Sequence, residues 1–142
     1  YMAKIELFEN PIFGAAIRRC HAFPVKRGAS DRGAIKAAVA VLKEGRILGL
    51  FPEGTRSKTG ELQKAEAGIA LIAAMTGAPI VPVAILNTHR IFANGGLIPQ
   101  LRIMYGEPIT FHGDRKSKES LDAFSEEIMG HIARMKEELA QK

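Results

Sequence analysis

The 142-residue sequence predicts an α/β domain, a mostly parallel sheet flanked by helices. Strand-length apolar segments alternate along it with segments whose apolar residues recur at helical spacing. Ile80–Leu86 is a nearly continuous apolar run, as in a strand buried on both faces. Composition agrees: 46% hydrophobic and 25% charged residues, with 14 Gly and 7 Pro, describe an ordinary globular chain and exclude collagen-like, mucin-like and disordered classes. A chain this long buries roughly two-thirds of its unfolded surface, enough for one core, so residues 1–142 are expected to form a single domain.

Each element has a local reason. Asn10-Pro11 is a helix start, because Asn caps free amides and Pro is pre-set for the first helical position. A short helix over Pro11–Arg19 is expected, then an extended piece, Ala22–Lys26. Ser30 or Asp31 can cap a second helix, with Ile35, Ala38, Val39 and Leu42 at helical spacing and Gly45 closing it. Arg46–Phe51 is apolar and strand-length. A third helix carries Ala65, Gly68, Ile69, Ile72 and Met75 on one face and ends at Gly77. Leu101–Tyr105 and Pro108–Phe111 read as further strands. From Ser117 a last helix places Leu121, Phe124, Ile128, Ile132, Met135 and Leu139 on one stripe.

Several chemistries are excluded early. The single cysteine, Cys20, cannot form an internal disulfide and reads as a small buried hydrophobe. One thiol and four histidines do not make a Cys-rich zinc site. No run reaches the roughly 18 apolar residues of a membrane span. The formal charge of +5 suits an anionic ligand. Arg18, Arg19, Lys26, Arg27, Arg32 and Lys36 form a basic group, but without interleaved aromatics or a recognised motif it does not indicate nucleic acid.

In open parallel sheets ligands bind beyond the carboxyl ends of strands. Phe51–Ser57, FPEGTRS, lies at such an end. Gly54 lets the backbone approach a ligand, Glu53 supplies a carboxylate, and Arg56 supplies a planar donor fork suited to phosphate. Thr55 and Ser57 add hydroxyls. A surface ion pair between Glu53 and Arg56 is the plainer alternative. Neither G-x-G-x-x-G nor G-x4-G-K-[ST] occurs, so nucleotide binding has no support here.

FPEGTRS resembles the third signature block of the glycerolipid acyltransferase family, which includes 1-acyl-glycerol-3-phosphate acyltransferases. AFPVKR (Ala22–Arg27) resembles the second block, and Ile80-Val81-Pro82-Val83 the fourth, in family order. The resemblance implies transfer of a fatty acyl group from acyl-CoA or acyl-carrier protein, as co-substrate, to the free hydroxyl of lysophosphatidic acid. No other cofactor and no metal is implied. Arg27 and Arg56 would hold the acceptor phosphate, and Glu53 would orient the glycerol part. Gly54 and Thr55 would shape the loop, and Val81 and Pro82 would border the acyl-donor side. Contact with the cytoplasmic face of a membrane, as a peripheral protein, follows from substrates that reside in a bilayer.

Two features depart from the family pattern. Acyl transfer to an alcohol needs a base, which the family supplies as a His followed five positions later by Asp. Here the residues five after His21, His89, His112 and His131 are Lys26, Asn94, Ser117 and Lys136. The chain opens at Tyr1, and the His–Asp segment is expected upstream of it, leaving these residues inactive alone. Many relatives also place a cation two before the Gly that opens the next helix. Here that residue is Glu66, and the nearest cation is Lys64. Other readings therefore stay open: an acyltransferase acting on glycerol 3-phosphate or another lysolipid, or a non-catalytic lysolipid- or phosphate-binding module. His89 follows the apolar strand and could enter the crevice, whereas His112 and Asp114 flank Gly113 and suit a turn.

Overall fold

Strand β1 (Met2–Lys4) passes through a single 3-10 turn (Ile5–Phe8) into helix α1 (Pro11–Arg19). This is a computed structural model, and it describes residues 1–25, 31–54, 61–66, 68–87 and 101–141. The Asn10 side chain accepts from the Ile12 and Phe13 amides at 3.1 and 3.0 Å, satisfying donors that a helix start otherwise orphans. At the other end His21 takes a left-handed φ of 58°. Its N–H donates to the Arg18 carbonyl at 2.9 Å, and the Ala22 N–H to Ile17 at 3.0 Å. That turn reverses the chain into β2 (Phe23–Val25), which pairs parallel with β1, Met2 opposite Phe23.

Helix α2 (Arg32–Lys43) follows, with Asp31 as its cap, accepting from the Ala34 amide at 3.0 Å. Ser30, the other candidate cap, lies outside the described residues. Ala3, Ile17 and Ala22 form a small core lined by Leu7 and Phe8. A Cβ on Gly14 would stand 2.9 Å from the Phe8 carbonyl oxygen, so this approach of α1 to the 3-10 turn requires glycine. The Arg18 guanidinium lies over the Phe8 ring, 4.8 Å from its centroid.

Two expectations fail in this region. Arg46–Phe51 forms no strand: one bond, from the Met2 N–H to the Gly49 carbonyl at 3.2 Å, ties it to β1, and Ile47 and Phe51 are 95% and 70% exposed. A single bond without a covered apolar face does not build a ladder. Cys20 is exposed, because it falls at the cap of α1, where the helix leaves its buried face.

The described chain divides into two compact units, Tyr1–Phe51 and Pro52–Lys142. In the second, α3 (Gly68–Thr76) buries Ile69, Ala70, Ile72 and Ala73. Ala65 precedes this helix and Met75 is 47% exposed, unlike the expected face. Ile69 to Ala74 are all apolar, so spacing alone does not orient α3; its packing on α4 (Lys118–Gln141) does. On α4, Phe124, Ile128, Ile132, Met135 and Leu139 are buried as their spacing predicts, and Leu121 is half-buried.

Strands β3 (Val83–Leu86) and β4 (Arg102–Tyr105) pair antiparallel, with Val83 opposite Tyr105 and Leu86 opposite Arg102. The α/β class holds, and the parallel arrangement is seen in β1–β2, but this second pair departs from it. Nor is β3 buried on both faces as its apolar run predicts. One face meets α4 and the other carries exposed Ile85, because among the described residues the two-stranded pair is covered on one side only. Ala84, Met135 and Leu139 form the core under this pair, with Leu86 and Met104 against them. On the opposite face Ile85, Ile103 and Tyr105 are exposed.

Pro108–Phe111, expected as a strand, contributes one bridge, Ile109 to Ile80, with bonds of 2.8 Å in both directions. Between that bridge and Val83–Tyr105, Val81 and Pro82 face three residues, Gly106, Glu107 and Pro108. The ladder therefore carries a bulge.

Candidate functional site

The FPEGTRS segment enters the structure as a turn over Pro52–Gly54. Gly54 has φ +61°, a left-handed value that a residue with a Cβ occupies only under strain. Residues 61–66 return beside this turn. The Glu66 N–H donates to the Pro52 carbonyl at 2.8 Å, and the Gln63 N–H donates to Glu53 Oε2 at 2.9 Å. Space at Gly54 is closed as well: a Cβ there would lie 2.8 Å from Glu66 Cγ. Glycine at 54 thus meets two demands, a backbone conformation and room for the Glu66 side chain.

Of the other candidates, Arg27, Thr55 and Arg56 lie outside the described residues, as does His89. Val81 is 47% exposed, whereas Pro82 is fully buried and its carbonyl accepts from the Gly106 N–H at 2.9 Å. Having no N–H, Pro82 sits where the bulge interrupts the ladder. Lys64 is exposed.

His112 Nε2 pairs with Thr110 Oγ1 at 2.8 Å, and Asp114 Oδ1 accepts from the Lys116 amide at 2.9 Å, so the two form separate turn contacts and no dyad. His131 lies inside α4 and is half-buried. Among the described residues no group of three or more His, Cys, Asp or Glu could hold a metal ion, and no helix is long and apolar enough to cross a membrane.

Sequence reasoning missed Gln63 and Glu66 as parts of this turn. The donors are main-chain N–H groups, which leave no mark in residue type.

Residues 1–86 match the model of the family described as Acyltransferase. The chain belongs to that family. Its segments Ala22–Arg27, Phe51–Ser57 and Ile80–Val83 all lie inside the match. This acyltransferase chain is 36% identical over 146 residues to 1-acyl-sn-glycerol-3-phosphate acyltransferase of Bacillus subtilis (strain 168), covering 99% of the chain and 70% of the relative. It is 36% identical over 145 residues to the enzyme of the same name from Streptococcus pneumoniae (strain ATCC BAA-255 / R6), covering 99% of the chain and 52% of the relative. The crystal structure of the 1-acyl-sn-glycerophosphate (LPA) acyltransferase PlsC from Thermotoga maritima shares the fold, with a TM-score of 0.73 and 29% identity over 99% of this chain and 56% of that one. The acyltransferase chain thus spans between about half and 70% of these relatives.

Proposed function

We propose that this chain carries the acceptor-recognition part of a phospholipid-synthesising acyltransferase, which moves a fatty acyl group from acyl-CoA or acyl-carrier protein to the free hydroxyl of lysophosphatidic acid. The thioester C–S bond breaks, an ester C–O bond forms, the thiol leaves and the hydroxyl proton passes to a base. The observation that supports this reading is the Gly54 turn: a family-matched FPEGTRS segment with a left-handed glycine backed by Glu66. Arg27 and Arg56 take the acceptor phosphate, and Thr55 adds a hydroxyl. Glu53 shapes the turn on which the glycerol part rests. Val81 borders the acyl-donor side, with buried Pro82 fixing its place. The protein works as a peripheral protein at the cytoplasmic face of a membrane, where both substrates are presented.

No histidine of this sequence is followed five positions later by aspartate, so these 142 residues are assigned recognition and no turnover of their own. The test compares binding of short-chain lysophosphatidic acid and of the matching monoacylglycerol, which lacks the phosphate. The phosphate-bearing lipid is expected to bind more tightly, and Arg56→Ala to weaken it by about tenfold, the loss of one charge-assisted hydrogen-bonding group. Equal affinity for the two lipids would overturn the assignment, and acyl transfer by the chain alone would overturn the division of labour. A binding module without catalysis would show the same affinities but no turnover when joined to a His–Asp segment from a relative.

A further inference from the structure

The contact between Glu53 and Gln63 narrows how Glu53 serves the acceptor-binding function proposed for this chain, and the role it gives Glu53 rests on that function. Glu53 lies one residue before Gly54, and its Oε2 is committed to a main-chain donor ten residues on, at 2.9 Å. The Glu66 N–H makes a second tie, to the Pro52 carbonyl at 2.8 Å. These bonds bracket the turn: one anchors its first residue, the other pulls its carboxylate toward the returning segment. Glu66 Cγ then fills the space that a Cβ on Gly54 would need. Glu53 is only half-buried, and a carboxylate left to solvent would not hold one orientation.

We infer that Glu53 is a positioning residue, tethering segment 61–66 to the Pro52–Gly54 turn through the Gln63 N–H and so fixing the shape of the loop that receives the acceptor. An N–H donor needs an acceptor oxygen, not a charge. Glutamine at 53 keeps that oxygen at the same reach. Aspartate keeps the charge but is one methylene too short, and alanine keeps neither. A carboxylate acting directly on the acceptor gives a different order, because there the charge decides.

The experiment makes Glu53→Gln, Glu53→Asp and Glu53→Ala in the 142-residue chain. It measures amide exchange at Gln63 together with affinity for short-chain lysophosphatidic acid below its micelle concentration. Gln63 is expected to stay protected in wild type and Glu53→Gln and to exchange faster in Glu53→Asp and Glu53→Ala. Affinity should follow the same split, near wild type for Glu53→Gln and weaker by about fivefold to tenfold for the other two, the scale of one lost hydrogen bond. Unchanged Gln63 exchange in Glu53→Ala overturns the tether. Protection retained in Glu53→Gln but affinity lost as in Glu53→Ala overturns positioning in favour of direct contact. Wild-type chain that binds no lysophosphatidic acid defeats the acceptor-binding function itself, and the exchange measurement then reports on the tether separately.

Discussion

Two regions of the Pro52–Lys142 unit are held together by opposite means. The β3–β4 pair rests on α4 through apolar side chains: Ala84 is 1% exposed, and Met135 and Leu139 close the layer. The turn at Glu53–Gly54 is held by polar ties at the surface, two hydrogen bonds from segment 61–66 and one close side-chain contact. Packing of the first kind is additive over many contacts and resists local opening. Ties of the second kind are few, and each one sets the shape of the loop. Segments held by few exposed hydrogen bonds lie at the low-stability end of a fold.

Substitutions in the two regions should therefore separate stability from binding. The largest effect is expected from Ile128→Ala, which empties a fully buried position and should cost about 2–5 kcal/mol, read as a lower urea midpoint. Acceptor affinity of the folded fraction should change little. A variant as stable as wild type would show that this buried position on α4 carries no packing energy. Gly54→Ala comes next: a Cβ at φ +61° costs about 1–2 kcal/mol and meets Glu66. Its signature should be local, with faster amide exchange over 61–66 and weaker lysophosphatidic acid binding, while the urea midpoint moves less than for Ile128→Ala. A midpoint shift as large as that of Ile128→Ala would merge the two regions into one.

The smallest effect concerns the start of α4. The backbone N–H of Glu119, the Ser117 hydroxyl at 2.9 Å and Lys118 hold the Glu119 carboxyl below the usual carboxylate range. The unfolded chain therefore takes up this proton first as pH falls. The stabilising contribution is complete above the unfolded carboxylate value and is lost as pH drops through the lower, folded one. The protection factor of the Ser120 amide, which donates to the Ser117 hydroxyl, should fall over that interval in wild type and stay level in Glu119→Gln. A flat wild-type profile would break the link between this carboxylate and the helix start.

Much of the framework was legible because it is local. Asn10-Pro11 and Asp31 mark helix starts through side chains that bond within three residues, and the α4 stripe repeats over enough turns to name its own face. Where the outcome depends on distant partners, the residues were silent. Arg46–Phe51 is as apolar as a strand yet found no ladder, and nothing in Val83–Leu86 says that its neighbour runs the other way. His21 in a left-handed cap is equally unannounced, since Gly or Asn is the usual occupant. At the Pro52–Gly54 turn the motif marks Glu53 and Gly54, while the amides of Gln63 and Glu66 that tie the turn have no side-chain signature.

Pro82 has a consequence for how β3 and β4 find each other. A slide of β3 by a single residue would turn Ala84 away from Met135 and Leu139 and bring exposed Ile85 toward them. The unequal spans beside Pro82, two residues facing three, mark the point where the ladder changes register by one. The imino acid therefore stands at an index mark, where Ile80 on one side is set one residue out of step with Val83–Leu86 on the other.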